Sequence, residues 1–256
     1  KQPITISAHD PQKPWWAFGW QGKGTSGSRF THVYFSDGSL TSYNLVNYTS
    51  PFNIHDSDDF IVDSCRIGRN YKGDDAMHIA YSRGVVRNSR FENNFMDALD
   101  IDISQVVIEG NIFIKPGNDA IDSMTSDLQI SAHIFVATGD KGISSGEQSV
   151  GFYKNNLLIG CDTGIAVKDE SDIEIENAVI FDSRKSGIDL YRKNNLYNSG
   201  GRLKARKIYF SGTGKTIKKD VFSIEKSQDI FILNGTMPTD NSDLVPVIGK
   251  YRALRL

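Results

Sequence analysis

The chain has 256 residues, with 29 Lys and Arg against 31 Asp and Glu, a formal net charge of −2 and 39% hydrophobic residues. That length supports one large core-forming domain, and the near balance of charge excludes a global field that would gather nucleic acid or an anionic membrane. No apolar run reaches 18 residues, so no transmembrane helix is expected; with two cysteines, Cys65 and Cys161, the chain reads neither as a disulfide-dense scaffold nor as a zinc module.

The chain opens at Lys1 without an initiator Met or a cleavable signal, which reads as an excised or processed segment. The aromatic segment KPWWAFGW (13–20) is the expected N-terminal cap within 1–27, with sugar stacking by Trp15, Trp16 and Trp20 as the other use of its rings. SRFTHVYFSDG (28–38) reads as an early coil, and FIVDSCRIG (60–68) matches GVVRNSRFE (84–92), setting Cys65 over Ser89. From 75 to 184 five lines of 22 residues follow without a gap: DAMHIAYSRGVVRNSRFENNFM, DALDIDISQVVIEGNIFIKPGN, DAIDSMTSDLQISAHIFVATGD, KGISSGEQSVGFYKNNLLIGCD and TGIAVKDESDIEIENAVIFDSR. One column is always small (Ala76, Ala98, Ala120, Gly142, Gly164) and the next always aliphatic (Met77, Leu99, Ile121, Ile143, Ile165). Others hold Phe91, Phe113, Phe135, Leu157, Val179 and Ser89, Asn111, His133, Asn155, Asn177. SGIDLYRKN (186–194) continues the columns after a one-residue insertion, GGRLKARKIYFSGTGKT interrupts them, and SIEKSQDIFILNG (223–235) reads as the last coil before an irregular tail at 236–256.

A unit of 22 residues is too short for the paired helices of common helical solenoids, and the aliphatic spacing is two rather than 3.6. Each repeat therefore makes one coil of short strands. Coils stack as parallel strands about 4.8 Å apart, so every column becomes a ladder of like residues, and the Asn positions 111, 155 and 177 become structural. Cys65 and Cys161, about four coils apart, stand roughly 19 Å from each other, too far to pair. The pattern over about 50–235 resembles the right-handed parallel β-helix of the pectate-lyase-like superfamily. The resemblance implies an all-β, single-stranded solenoid of about nine coils forming one domain over 1–256.

If Leu99, Ile101 and Ile103 face inward, Asp100 and Asp102 face outward on the same strand. The column through Asp100 reads His78, Asp100, Asp122, Ser144, Ala166, Asp189; that through Asp102 reads Ala80, Asp102, Met124, Gly146, Lys168, Tyr191. Asp75, Asp97, Asp119 and Lys141 stand beside them, where Asp reads as a turn former and Lys141 neutralises Asp119. Stacked carboxylates repel, raising a pKa unless a cation intervenes, and Asp is disfavoured on a strand. The stripe is thus the expected site.

Three chemistries fit it. In the first, Ca²⁺ on Asp100, Asp122 and Glu147 binds the carboxylate of a uronate polysaccharide. Lys168, with Tyr191 and Arg192, then removes the α proton for elimination or epimerisation; Lys141 and Asp189 contact substrate. This is similar to superfamily lyases that combine calcium with Lys or Arg. In the second, Asp100 and Asp102, about 7 Å apart by strand rise, serve an inverting glycoside hydrolase with His78 tuning them. That arrangement resembles the polygalacturonase-like branch, one of whose motifs is similar to GDD (73–75), although the branch's other signatures are absent. In the third, the helix is a non-catalytic glycan-binding or scaffold module. The resemblance implies a secreted, periplasmic or cell-surface protein. No nucleotide or organic cofactor is indicated, because GTGKT lacks the spacing and helix of a phosphate loop. His133 reads as a ladder residue, and Asn47 and Asn234 open glycosylation-acceptor patterns.

Overall fold

The computed structural model describes residues 2–10, 12–235, 237–238 and 241–254. The period-two pattern becomes about eight coils spaced about 22 residues apart. One parallel sheet runs through nine strands, Phe18–Gln21, Phe52–His55, Asp75–Ala80, Asp97–Asp102, Ile121–Met124, Lys141–Gly146, Thr163–Lys168, Ser186–Tyr191 and Lys215–Lys219. The rest of each coil forms two further ladders, which fuse where the strand Val150–Ile159 runs continuously through both. Between those ladders one residue per coil turns the corner in the left-handed region, among them Asn88 (φ 49°), Ala132 (φ 59°), Asn155 (φ 57°) and Asn177 (φ 60°). The interior is filled by like-on-like columns, such as Phe91, Phe113 and Phe135, whose rings stack at 4.9 and 5.0 Å.

The buried polar ladder differs from its sequence reading by one residue. Ser89 N–H donates to Asn111 Oδ1 (2.7 Å), Asn111 N–H to His133 Nδ1 (2.9 Å) and His133 N–H to Asn156 Oδ1 (3.0 Å). Asn156, not Asn155, thus occupies the ladder. Asn155 and Asn177 are the corner residues beside it, joined through Asn177 Nδ2 and Asn155 Oδ1 (2.6 Å). The aromatic column likewise passes from Phe135 to Leu158 and Ile180. Leu157 and Val179 face the opposite way, in a second apolar cluster with Ile112 and Ile134.

That second cluster is covered by the segment expected to be an irregular tail. Val245–Ala253 is an α-helix with a proline in its first turn, and Leu244, Val247 and Ile248 are buried against the cluster. Lys250 Nζ donates to Gly110 O (2.6 Å). The expected interruption is also shorter than the sequence suggested: Arg202–Ser211 pairs in register with Asp172–Phe181, so only the loop of 192–201 departs from the coil. At the other end, Phe18 and Trp20 pack on the first core layer with Phe30, Phe35 and Phe52, while Trp16 is exposed. Both cysteines are free and buried. Asn47 is exposed, and Thr236 of the second acceptor pattern lies outside the described residues.

Candidate active site

The nine-stranded sheet carries the acids in the register the repeat implies. His78 pairs with Asp100, Asp100 with Asp122, Asp122 with Ser144, Ser144 with Ala166, Ala166 with Asp189 and Asp189 with Lys218. Two residues on, His55 pairs with Ala80, Ala80 with Asp102, Asp102 with Met124, and Lys168 with Tyr191. Gly146 leaves room for Lys168: a Cβ there would stand 3.1 Å from Lys168 Cε.

Asp75, Asp97 and Asp119 line the start of the strands and are buried. Asp97 Oδ1 accepts the Asp119 N–H (2.7 Å) and Asp119 Oδ1 the Lys141 N–H (2.8 Å), so these two carboxylates tie successive coils together. Burial pushes their acidity down, raising Asp75 to about 7, Asp97 to about 8 and Asp119 to about 6. Lys141 lies 3.4 Å from Asp119 and 2.5 Å from Asp140; burial opposes its charge, but these acids outweigh burial and raise its pKa.

His78 lies at the centre of the second group. Its Nδ1 is 3.2 Å from Thr49 Oγ1 and 3.1 Å from His55 Nε2, and its Nε2 is 3.3 Å from Asp102 Oδ2 and 3.9 Å from Asp100 Oδ2. Thr49 Oγ1 also donates to Asp75 Oδ2 (2.7 Å). The His78 ring is thus held at both nitrogens, by Thr49 and His55 on one side and by the two aspartates on the other. Burial lowers His55 to about 4, keeping it neutral. Asp100, most of its side chain buried, is pushed up to about 10, first by burial and then by Asp75, Asp102, Asp122 and Asp97. It therefore carries a proton at neutral pH. Lys168, 7% exposed at its side chain, places Nζ 3.7 Å from Asp122 Oδ1.

His78, Asp100, Asp102, Asp122 and Lys168 are thus brought together. Lys141, Asp189 and Tyr191 line an adjoining pocket of about 230 Å³ with Asp140, Lys185 and Lys218. Its lysines are already paired with acids, Lys218 with Asp189 at 2.7 Å and Lys185 with Asp162 at 2.8 Å. Burial raises the Tyr191 phenol to about 12. Arg192 turns away: its guanidinium lies 3.6 Å over the Phe222 ring. The oxygens of Asp100 and Asp102 approach within 4.8 Å of each other, closer than the 7 Å of strand rise, because both side chains lean toward His78.

Of the expected calcium ligands, Asp100 and Asp122 stand opposite one another in the ladder. Glu147 lies in the turn after Gly146, with φ 57°, outside the group that places ligand atoms of His78, Asp100 and Asp102 within 4.8 Å of one another. Asp122 Oδ1 is buried without a hydrogen-bond partner, yet an imidazole among two carboxylates is a poor match to the all-oxygen shell that Ca²⁺ prefers. The His78, Asp100 and Asp102 group therefore does not fit Ca²⁺. Thr49 and His55 escaped the sequence reading: His55 sits 25 residues before Ala80 in the ladder, out of step with the 22-residue columns, and Thr49 lies in the turn before its strand.

Residues 76–222, more than half of the chain, match the family described as right handed beta helix region. The chain belongs to that family. Among solved structures it is similar to a point mutant of the periplasmic alginate epimerase AlgG (14% identity, TM-score 0.54, 81% of this chain and 61% of that one). It is also similar to the catalytic unit of a GH87 α-1,3-glucanase from Streptomyces thermodiastaticus (10% identity, TM-score 0.52, 85% and 50%) and to pectate lyase Pel9A (10% identity, TM-score 0.51, 93% and 69%). The chain therefore spans 61% and 50% of the first two proteins. At these identities the likeness is one of fold. No curated protein matches by sequence.

Proposed function

We propose that the protein acts on an acidic, uronate-containing polysaccharide outside the cytoplasm, by elimination or epimerisation at the His78–Asp100 group. The observation that carries this reading is the convergence of His78, Asp100 and Asp102, whose nitrogen and oxygen atoms come within 4.8 Å of one another, with Asp100 held toward its acid form by burial and its acidic neighbours. His78, its ring oriented by Thr49 and His55, accepts the proton α to the sugar carboxylate. Asp100 in its acid form donates a hydrogen bond to that carboxylate, spreading the negative charge that develops as the C–H bond breaks. Lys168 supplies the second proton, either to the leaving glycosidic oxygen or back to carbon. Lys168 thereby moves from the base expected in the sequence to the acid. The fold it shares with an epimerase, a lyase and a glucanase supports action on a polysaccharide and an extracellular or periplasmic place, as analogy.

A second reading has its own observation: a protonated Asp100 beside Asp102 is the pairing a glycoside hydrolase uses, although the short oxygen separation leaves little room for the water of an inverting mechanism. The test is incubation with alginate, polygalacturonate and α-1,3-glucan. Ultraviolet absorbance of unsaturated ends reports elimination, proton exchange with deuterated solvent reports epimerisation, and new reducing ends without absorbance report hydrolysis. Binding with no product by any readout leaves a glycan-binding module and overturns the catalytic proposal.

A further inference from the structure

Each strand of the acidic stripe ends in a tight turn, and the residue that makes the turn has a left-handed backbone: Asp56 (φ 53°), Tyr81 (φ 53°), Ile103 (φ 48°), Thr125 (φ 49°) and Gln148 (φ 66°). Asp, and to a lesser degree Thr, is unsurprising in a solvated turn. Ile103 is not, because a β-branched side chain is strained in this region. Nor is Ile103 repaid by burial, since it is 43% exposed and Tyr81 61% exposed. The strain is held by a serine ladder beneath. The N–H of Ser57 donates to Ser82 Oγ, that of Ser82 to Ser104 Oγ and that of Ser104 to Ser126 Oγ, at 3.0–3.1 Å. The turns are therefore rigid, and two exposed apolar side chains are fixed in a conformation that stability alone would not choose.

These turns line a groove of about 670 Å³ that follows the coils, with Tyr81, Arg83, Ile103, Thr125, Gln148 and Val150 in its walls. From the coil of Asp56 to that of Gln148 it crosses four ladder steps, roughly 19 Å along the solenoid axis. Tyr81 follows Ala80 and Ile103 follows Asp102 directly in the chain, so the groove begins at the residue next to the acidic strands' ends. Four of its charges are paired with one another at one end: Lys23 with Asp56 and Asp58, and Arg83 with Asp58, while Asp127 lies further along. Between them lie hydroxyl and amide groups and the exposed faces of Tyr81 and Ile103.

We propose that this groove is a polysaccharide subsite in which Tyr81 and Ile103 contact the apolar faces of sugars next to the one held at Asp100 and Asp102. The inference rests on the reading of the acidic group as a polysaccharide site. A long trough beside that group, its charges paired at one end and its floor made of apolar and hydroxyl groups, suits a linear glycan that is read by ring face and hydroxyl. Preformed turns lower the ordering cost of such contacts.

The consequence is a substitution that makes the fold more stable and the binding weaker. Ile103→Asn places in the turn a residue that tolerates its backbone, so the Tm rises by about 2–4 °C. The same protein, and Tyr81→Ala independently, binds alginate or polygalacturonate about tenfold more weakly by calorimetry. Glu109→Gln, at an exposed residue of the strand Gln105–Glu109 that lines neither the groove nor the acidic group, serves as the control and leaves affinity within twofold. Affinity unchanged in both Ile103→Asn and Tyr81→Ala, with wild-type binding intact, overturns the subsite but not the site. A wild type that binds none of alginate, polygalacturonate and α-1,3-glucan overturns both.

Discussion

Replacing Asp100 by Asn should stabilise the fold at neutral pH, and should do so only there. Asp100 ionises at about 3.9 in an unfolded chain but is pushed up to about 10 in the fold by burial and four neighbouring carboxylates. Between these values the folded state binds a proton that the unfolded state has released, so stability falls as pH rises. At pH 4 the two states differ little in protonation. At pH 7 roughly three pH units at about 1.4 kcal/mol each make the acid cost about 4 kcal/mol, which an uncharged isostere does not incur. Urea unfolding of wild type and Asp100→Asn at pH 4, 5.5 and 7 should show the variant gaining from about 0 to about 4 kcal/mol. A gap that stays constant with pH, or a wild type more stable than the variant at pH 7, would refute the claim that Asp100 is held as a neutral acid.

Three further outcomes follow from the same geometry. His78→Gln should abolish turnover of a uronate polymer while leaving its affinity within a few fold, measured by product formation and calorimetry; retained turnover would move the base back to Lys168. Turnover should persist in excess chelator, because Glu147 stands apart from Asp100 and Asp102; loss that added Ca²⁺ restores would reinstate the calcium reading. Asn156→Ala removes the acceptor of the His133 N–H and the donor to Ile130 O (3.2 Å), costing about 2–3 kcal/mol in urea unfolding. Asn155→Ala should cost about 1–2 kcal/mol, through its left-handed backbone and the lost bond from Asn177, and a loss as large as that of Asn156→Ala would contradict the ladder assignment.

Why were some of these positions readable and others hidden? Parallel stacking makes sequence separation and spatial adjacency the same quantity, so Asp97, Asp100 and Asp119, 22 residues from their neighbours, could be paired before any coordinates. The reading slipped where a coil changes length. The turn at Glu147 and Gln148 uses two left-handed residues where Ile103 and Thr125 each serve alone, and Asp127 consequently pairs with Val150. That added residue moved the polar ladder from Asn155 to Asn156. His55 was lost for the same reason on a longer segment. The orientation of Arg192 and the leaning together of Asp100 and Asp102 depend on side-chain torsions and on a loop of 192–201, which no periodicity encodes. In Val245–Ala253, Pro246 and Gly249 look like breakers, but proline is tolerated in a helix's first turn and the apolar wall formed by Ile134 and Leu157 supplies what the segment lacks in propensity.

The return of that helix has a bearing on how the molecule is made. Its contacts reach back from Lys250 to Gly110, 140 residues earlier, whereas each coil touches mainly the one before it. During synthesis the coils can zip up one after another as they leave the ribosome, each templated by its predecessor. The greasy seam along Ile112, Ile134, Leu157 and Val179 stays wet until the segment from Leu244 emerges and latches over it. A nascent chain stalled before Leu244 would be wound but unlatched, and it is this late intermediate that a chaperone or a protease would meet.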